Sequence, residues 1–339
     1  MSTVGILANP ASGKDIRRLV AHGSVFDNLE KIRMVRRLII GIEQAGASRI
    51  VYMPDAYGTV PRALEAISPS IPVQALDIPV RNTQQDTTAA AKAMQDCGAG
   101  CLVVLGGDGT NRAACKGTVD VPLLPLSTGT NNVFPSMGEA TIAGLAAGIV
   151  ATGAFPLAEC CTTTCMFHIY LDETRADIAL VDAAVYDDIF VGSRAVWNMD
   201  KVPQIFLTRC DPSSIGLSAI GGQLTTIRPE EPIGLALELG RAQEATVTAP
   251  IAPGLFATVP VRTSRRMQPG ERFAIATTPG LIAVDGEREV DIPRGSRASI
   301  ALSTDGPKVV DVPRVMALAS AHGLFTRYHT PKPTRRRTV

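Results

Sequence analysis

The sequence predicts a two-part α/β chain: a parallel-sheet, Rossmann-like N-terminal domain over residues 1–150 and a β-sandwich-like domain over 151–311. Three observations carry this reading. Strand-like apolar runs alternate with helix-period segments through the first part. Near residue 153 the alternation stops, and short β runs separated by Gly, Pro or Asp take over. The chain has 339 residues and is 45% hydrophobic, enough material for two cores.

Residues 3–8 (TVGILA) read as a first buried strand, followed by the polar turn Asn9-Pro10-Ala11-Ser12-Gly13-Lys14. Leu29, Ile32, Val35, Leu38, Ile39 and Ile42 recur at helical spacing, which predicts an amphipathic helix over 29–45 with basic residues opposite. Strands are expected at 49–53, 73–78 and 121–126, and helices at 57–67, 87–95 and 111–116. CLVVLGGDGT (101–110) is a continuous apolar strand ending in a glycine-rich turn. Strands alternating with helices form a parallel sheet covered on both faces. Later strands are expected at 177–186, 203–208, 233–239, 245–249, 272–277, 281–284, 289–292 and 297–302. A closing helix within 312–325 is expected to return to the first domain, and 326–339 form a basic, frayed tail.

Composition excludes several classes. Lys+Arg is 33 and Asp+Glu is 32, a net charge of +1, which argues against a dedicated nucleic-acid binder. Aromatics at 4% leave little for base-stacking platforms. High hydrophobicity with low net charge excludes disorder. No run reaches the roughly 18 apolar residues of a membrane span, so no membrane partner is expected. The opening residues lack a secretory pattern, and the seven cysteines are expected as mostly free thiols of a cytoplasmic protein. The cluster Cys160, Cys161, Cys165 and His168 has poor spacing for tetrahedral zinc and reads as structure.

The strongest chemical signal is Gly106-Gly107-Asp108-Gly109-Thr110, between an apolar strand and a helix. A helix N-terminus presents backbone N–H groups to an anion, and glycines let a phosphate approach the backbone. A carboxylate there repels phosphate unless a metal or proton lies between, so Asp108 could hold Mg²⁺ or accept a hydroxyl proton. It could also simply cap the helix. The loops Asn9–Lys14 and Ser127-Thr128-Gly129-Thr130-Asn131-Asn132 also follow strands of the predicted sheet. Ligand crevices of open sheets lie at the carboxyl ends of strands, so three polar loops there can face one site. Neither Walker A nor the dinucleotide glycine pattern follows the first strand. Asp285-Gly286-Glu287, taken alone, reads as a hairpin turn.

Together these loops resemble the superfamily of NAD kinases, diacylglycerol kinases and sphingosine kinases, whose hallmark is GGDGT. NPASGK (9–14) and DGE (285–287) look like segments of its lipid-kinase branch; SSIGLSAIGG (213–222) and TAPIAPGL (248–255) are similar to NAD kinase segments. The resemblance covers about residues 3–325, and the run at 9–28 is identified with the AcoX-type, ATP-NAD kinase-like subgroup linked to acetoin catabolism.

The resemblance implies an NAD kinase-like fold with its site between the domains. It implies ATP and Mg²⁺ as cofactors, Asp108 as catalytic carboxylate and metal ligand, and Asn9, Ser12, Gly13, Lys14, Gly106, Gly107, Gly109, Thr110, Thr128, Gly129, Thr130, Asn131 and Asn132 around the nucleotide. Asp182, Ser218, Gly221, Gly222, Asp285 and Glu287 are implied near the acceptor, NAD or another small hydroxyl compound. A dimer or tetramer is expected. The sequence departs from NAD kinases at Leu180-Val181-Asp182-Ala183, where an Asn-Glu pair is usual, and CDPSSIGLSA replaces TPTGSTAY. A lipid kinase, or a non-catalytic nucleotide-binding regulator of diol catabolism, are the alternatives.

Overall fold

The computed structural model describes residues 2–12, 27–187, 199–241 and 244–327, with backbone only at 288–289. The N-terminal part runs β1 (Thr3–Ala8), α1 (Asn28–Gln44), β2 (Arg49–Tyr52), α2 (Thr59–Leu64), β3 (Val73–Ala75), α3 (Gln84–Asp96), β4 (Ala99–Gly106), α4 (Asp108–Gly117), β5 (Leu123–Ser127), α5 (Ala140–Thr152), α6 (Leu157–Cys160) and β6 (Cys161–Thr163). There follow β7 (Met166–Leu171), β8 (Thr174–Ala179), β9 (Asp182–Tyr186), β10 (Gln204–Leu207), α7 (Leu217–Gly222), β11 (Gly234–Leu239), β12 (Ala245–Ala252), β13 (Leu255–Met267), β14 (Arg272–Ile275), β15 (Gly280–Val284), β16 (Glu287–Ile292), β17 (Ala298–Ser303), β18 (Lys308–Val310) and α8 (Val312–Ala321).

The first sheet has the order β3-β2-β1-β4-β5-β18-β6. β1 to β5 are parallel, β18 pairs parallel with β5, and β6 closes the edge antiparallel. All six residues of β1 are buried, because helices cover both faces. On one face Leu38, Ile39 and Ile42 of α1 pack with Ala143, Ala146 and Ala147 of α5, and Val315 and Ala319 of α8 join the same core. The backbones of α1 and α5 touch: a Cβ on Gly144 would lie 2.4 Å from the Leu38 carbonyl oxygen. Leu29, expected on the buried face of α1, is 57% exposed, whereas Lys31 is fully buried. Ile32, Val35, Leu38, Ile39 and Ile42 are buried as expected, so the departure is confined to the first turn, where Lys31 faces inward and finds carbonyl acceptors.

The C-terminal part is antiparallel. A seven-stranded sheet, β12-β13-β11-β10-β9-β15-β16, packs on a four-stranded one, β14-β17-β7-β8. Phe167 and Ile169 of β7 and Ile300 and Leu302 of β17 meet Val185, Phe206 and Ile282 of the larger sheet. The Phe167 and Phe206 rings meet edge-on with centroids 6.4 Å apart. On the larger sheet's other face, Ala219 and Ile220 of α7 cover Leu207, Leu235 and Leu237. The predicted class, a parallel-sheet α/β region followed by an antiparallel β-rich region, is the class observed. The single strand expected over 177–186 is two, β8 and β9, broken at Leu180 and Val181.

Candidate functional site

The order β3-β2-β1-β4-β5 reverses direction between β1 and β4, and the chain leaves their carboxyl ends in opposite directions. A crevice opens at such a switch point. Three loops meet there, joined by side chains. Asn9 Nδ2 donates to Thr110 Oγ1 at 3.0 Å, tying the loop after β1 to the first turn of α4. The Ser12 and Thr128 hydroxyls lie 2.9 Å apart, tying it to the loop after β5. Asn9 Oδ1 also accepts the Ala11 N–H at 2.9 Å, which bends the loop locally. Lys31 Nζ reaches up from α1 and donates to the carbonyls of Asn9, Pro10 and Ser12 at 3.0, 3.2 and 2.5 Å. Gly13 and Lys14 lie outside the described residues.

The loop after β5 is folded on itself. Ser127 Oγ donates to the Gly129 carbonyl at 2.6 Å and accepts Asn132 Nδ2 at 2.7 Å. Thr128 and Gly129 are buried, Thr130 is exposed, and Asn131 faces the cleft.

Asp108 begins α4, with Gly107 as N-cap. Its carboxylate accepts the Val133 N–H at 3.1 Å and the Phe134 N–H at 2.8 Å, so it links the glycine loop to the loop after β5. Side chains already crowd the glycines. A Cβ on Gly106 would lie 2.4 Å from Thr110 Cβ, one on Gly107 2.7 Å from Asn132 Oδ1, and one on Gly109 2.7 Å from Glu287 Cδ. These glycines let other parts of the chain approach, and at Gly109 the group that approaches is a carboxylate.

Asp285 is buried and left-handed, with φ of 49°. It accepts the backbone N–H groups of Leu180, Val181 and Asp182, at 3.0, 2.8 and 3.3 Å for the closest contacts. This is what breaks β8 from β9. Burial pushes the Asp285 carboxyl up, opposed by Arg112 and by the three N–H donors. Asp285 thus ties two β segments together; it is more than a surface hairpin turn. Glu287, half-buried, accepts Gln84 Nε2 and lies 3.7 Å from Arg112 Nη2. Arg112 is fully buried and pairs with Asp177 at 3.0 Å and Asp285 at 3.6 Å, while Lys116 Nζ adds a bond to Asp177 at 3.1 Å. Arg209 is also buried, stacked over the Phe134 ring with its guanidinium carbon 5.0 Å from the centroid. Desolvation lowers its pKa, against the pull of Asp108 and Asp285.

The cleft between the two parts is lined by Asp108, Asn131, Val133, Asp182, Met199, Ile215, Gly216, Leu217, Ile251, Ala283, Asp285 and Gly286. Ser218, Gly221 and Gly222 lie inside α7 rather than on this wall. Ser218 Oγ donates to the Arg209 carbonyl at 3.0 Å, and a Cβ on Gly222 would meet the Asp211 backbone at 2.4 Å. Sequence reasoning missed Lys31, Arg112, Asp177 and Arg209. Lys31 and Arg112 read as ordinary charges on helix surfaces, and nothing in the sequence marked them as buried. Among the described residues no group of three or more His, Cys, Asp or Glu side chains could hold a metal by itself.

Residues 4–155 match the profile of the ATP-NAD kinase N-terminal domain, and residues 165–305 that of the acetoin catabolism protein X C-terminal domain. The fold of this N-terminal part is thus NAD kinase-like. Acetoin catabolism protein X of Cupriavidus necator is 37% identical over 341 residues, spanning 97% of this chain and 95% of that protein, and the chain belongs to this family. Among solved structures, yeast NADH kinase complexed with NADH aligns with a TM-score of 0.49 at 13% identity, over 98% of this chain and 90% of that one. A putative diacylglycerol kinase from Bacillus anthracis aligns with a TM-score of 0.43 at 13% identity, over 91% and 97%.

Proposed function

We propose that the protein binds ATP at the three joined loops and transfers its terminal phosphoryl group to a hydroxyl of a small molecule in the cleft, with NAD the first acceptor to test. The observation that carries this reading is the pair of side-chain bonds, Asn9 to Thr110 and Ser12 to Thr128, which gathers three strand-end loops around the start of α4. Backbone N–H groups at a helix start suit phosphate oxygens. Asp108 and Asp182 line the same cleft. Mg²⁺ usually takes one or two carboxylates and fills its shell with phosphate oxygens and water. Asp108 and Asp182 are therefore the side chains that would hold the ion, with no group of three or more His, Cys, Asp or Glu among the described residues to hold it alone. Bound with the nucleotide, the ion would neutralise phosphate charge. Asp108, fixed by Val133 and Phe134, would orient the acceptor hydroxyl or take its proton. Apolar walls from Met199, Ile215, Leu217 and Ile251 would hold the acceptor's carbon body.

Two observations favour a second reading. Both Asp108 oxygens already accept N–H groups, and the Glu287 carboxylate fills the space above Gly109. A nucleotide-binding regulator without turnover would tolerate both. Calorimetric titration of Mg-ATP, followed by assay for NADP⁺ or other phosphorylated product, separates the readings. Binding with product supports the kinase, binding without product supports the regulator, and absence of binding rejects both.

A further inference from the structure

We propose that Lys31 is a built-in cation that sets the shape of the Asn9–Ser12 loop and thereby acts as a positioning residue for nucleotide binding. The inference rests on the nucleotide site proposed above. Lys31 is fully buried in α1, between an exposed Leu29 and the apolar Ile32. An ammonium carries three N–H donors and accepts nothing. Here three backbone carbonyls of a four-residue loop converge on it: Asn9 at 3.0 Å, Pro10 at 3.2 Å and Ser12 at 2.5 Å.

Carbonyl oxygens do not normally converge on one point, because their partial negative charges repel. A central positive charge reverses that preference, much as a bound cation organises oxygen ligands. The turn is closed further by Ser12 N–H to the Asn9 carbonyl at 3.2 Å and by Ser12 Oγ to the same oxygen at 2.7 Å. With its carbonyls drawn down to Lys31, the loop turns Asn9 Nδ2 toward Thr110 and Ser12 Oγ toward Thr128, the two contacts that assemble the site. These three bonds end on the backbone carbonyls of Asn9, Pro10 and Ser12 and not on the side chains that make those two contacts, so Lys31 acts through the loop backbone. Burying a charge is costly unless it is fully hydrogen-bonded, so the group holds its place through these acceptors.

The test uses the full chain with Lys31→Met, which keeps the length and removes the charge, and Lys31→Ala, which leaves room for a small ammonium ion. Hydrogen exchange of the peptide covering residues 4–12 is read first, without nucleotide. Faster exchange is expected at Ala11 and Ser12 in Lys31→Met while α5 and the antiparallel sheets stay protected. Mg-ATP titration should then show binding weakened by about tenfold or more, with the acceptor KM little changed. Added ethylammonium should restore binding to Lys31→Ala. Unchanged exchange in the loop, or unchanged ATP affinity in a variant whose wild type binds ATP, would overturn the proposal. If wild type itself binds no ATP, the functional reading fails, and the exchange result alone decides the role of Lys31. If Lys31→Met does not fold, recovery of folded Lys31→Ala by ethylammonium supports the built-in cation, and failure to recover overturns it.

Discussion

Arg112 and Asp177 form an ion pair at 3.0 Å with both side chains almost wholly withdrawn from water. Arg112 stands one turn into the helix that the glycine loop begins, and Asp177 belongs to the four-stranded antiparallel sheet. The pair therefore locks α4, the helix that the glycine loop begins, onto the β-rich part, and the cleft lies between the elements it joins.

Removing the guanidinium leaves buried carboxylates without their counter-charge. Arg112→Met is expected to lower unfolding free energy by about 3–5 kcal/mol. Equilibrium denaturation in urea reads this directly; an unchanged midpoint would contradict the lock.

The contact of α1 with α5 depends on bare backbone at Gly144, where any Cβ would meet the Leu38 carbonyl oxygen at 2.4 Å. Gly144→Ala must separate the helices, at a cost of about 1–3 kcal/mol despite the better helix propensity of alanine. Thermal unfolding of this variant should fall below wild type; equal or higher stability would show that the helices slide apart freely.

His168 gives a pH dependence of known sign. Burial lowers its pKa from 6.5, aided by Arg175 and opposed by Asp305, which lies 3.4 Å from Nε2. Below 6.5 the unfolded chain takes up the proton before the folded one does. The stability contributed by neutral His168 is therefore complete above that value and is lost as pH falls through the lowered folded value. Melting temperature between about pH 7.5 and pH 5 should drop less in His168→Gln than in wild type. Parallel curves would show that other groups carry the acid effect.

Thiol chemistry should single out one cysteine. Cys97 is exposed, and the other six are buried. Burial pushes the Cys210 thiol up to about 12 and the Cys161 thiol up to about 11, which leaves little thiolate at neutral pH. A thiol reagent should label Cys97 rapidly in the native protein and all seven after denaturation. Fast labelling of Cys160, Cys161 or Cys165 in the native state would contradict the burial.

The features legible in the sequence are those that repeat or punctuate. Apolar runs ending in Asn-Pro, Gly-Gly or Ser-Thr-Gly marked three strand ends, and the open-sheet rule placed their loops together. The structure then supplied the bonds, Asn9 to Thr110 and Ser12 to Thr128, that no spacing could show. Buried charges were not legible. Lys31 and Arg112 sit in helices among ordinary surface charges, and only their distant acceptors reveal their work. Asp285 looked like half of a turn dipeptide. Its role lies with Leu180, Val181 and Asp182, about a hundred positions away in sequence, where its carboxylate interrupts one predicted strand.

The most direct test of the proposed activity is release of ADP from Mg-ATP in the presence of NAD⁺, then of small diols and hydroxyketones, by wild type and by Asp108→Asn. Asparagine at 108 keeps the size of the side chain that meets the Val133 and Phe134 N–H groups but removes its charge. Acceptor-dependent ADP release is expected from wild type, reduced by about a hundredfold or more in a folded Asp108→Asn variant. Equal turnover by the two proteins would remove Asp108 from the mechanism, and ATP binding without acceptor-dependent turnover by wild type would contradict the kinase reading.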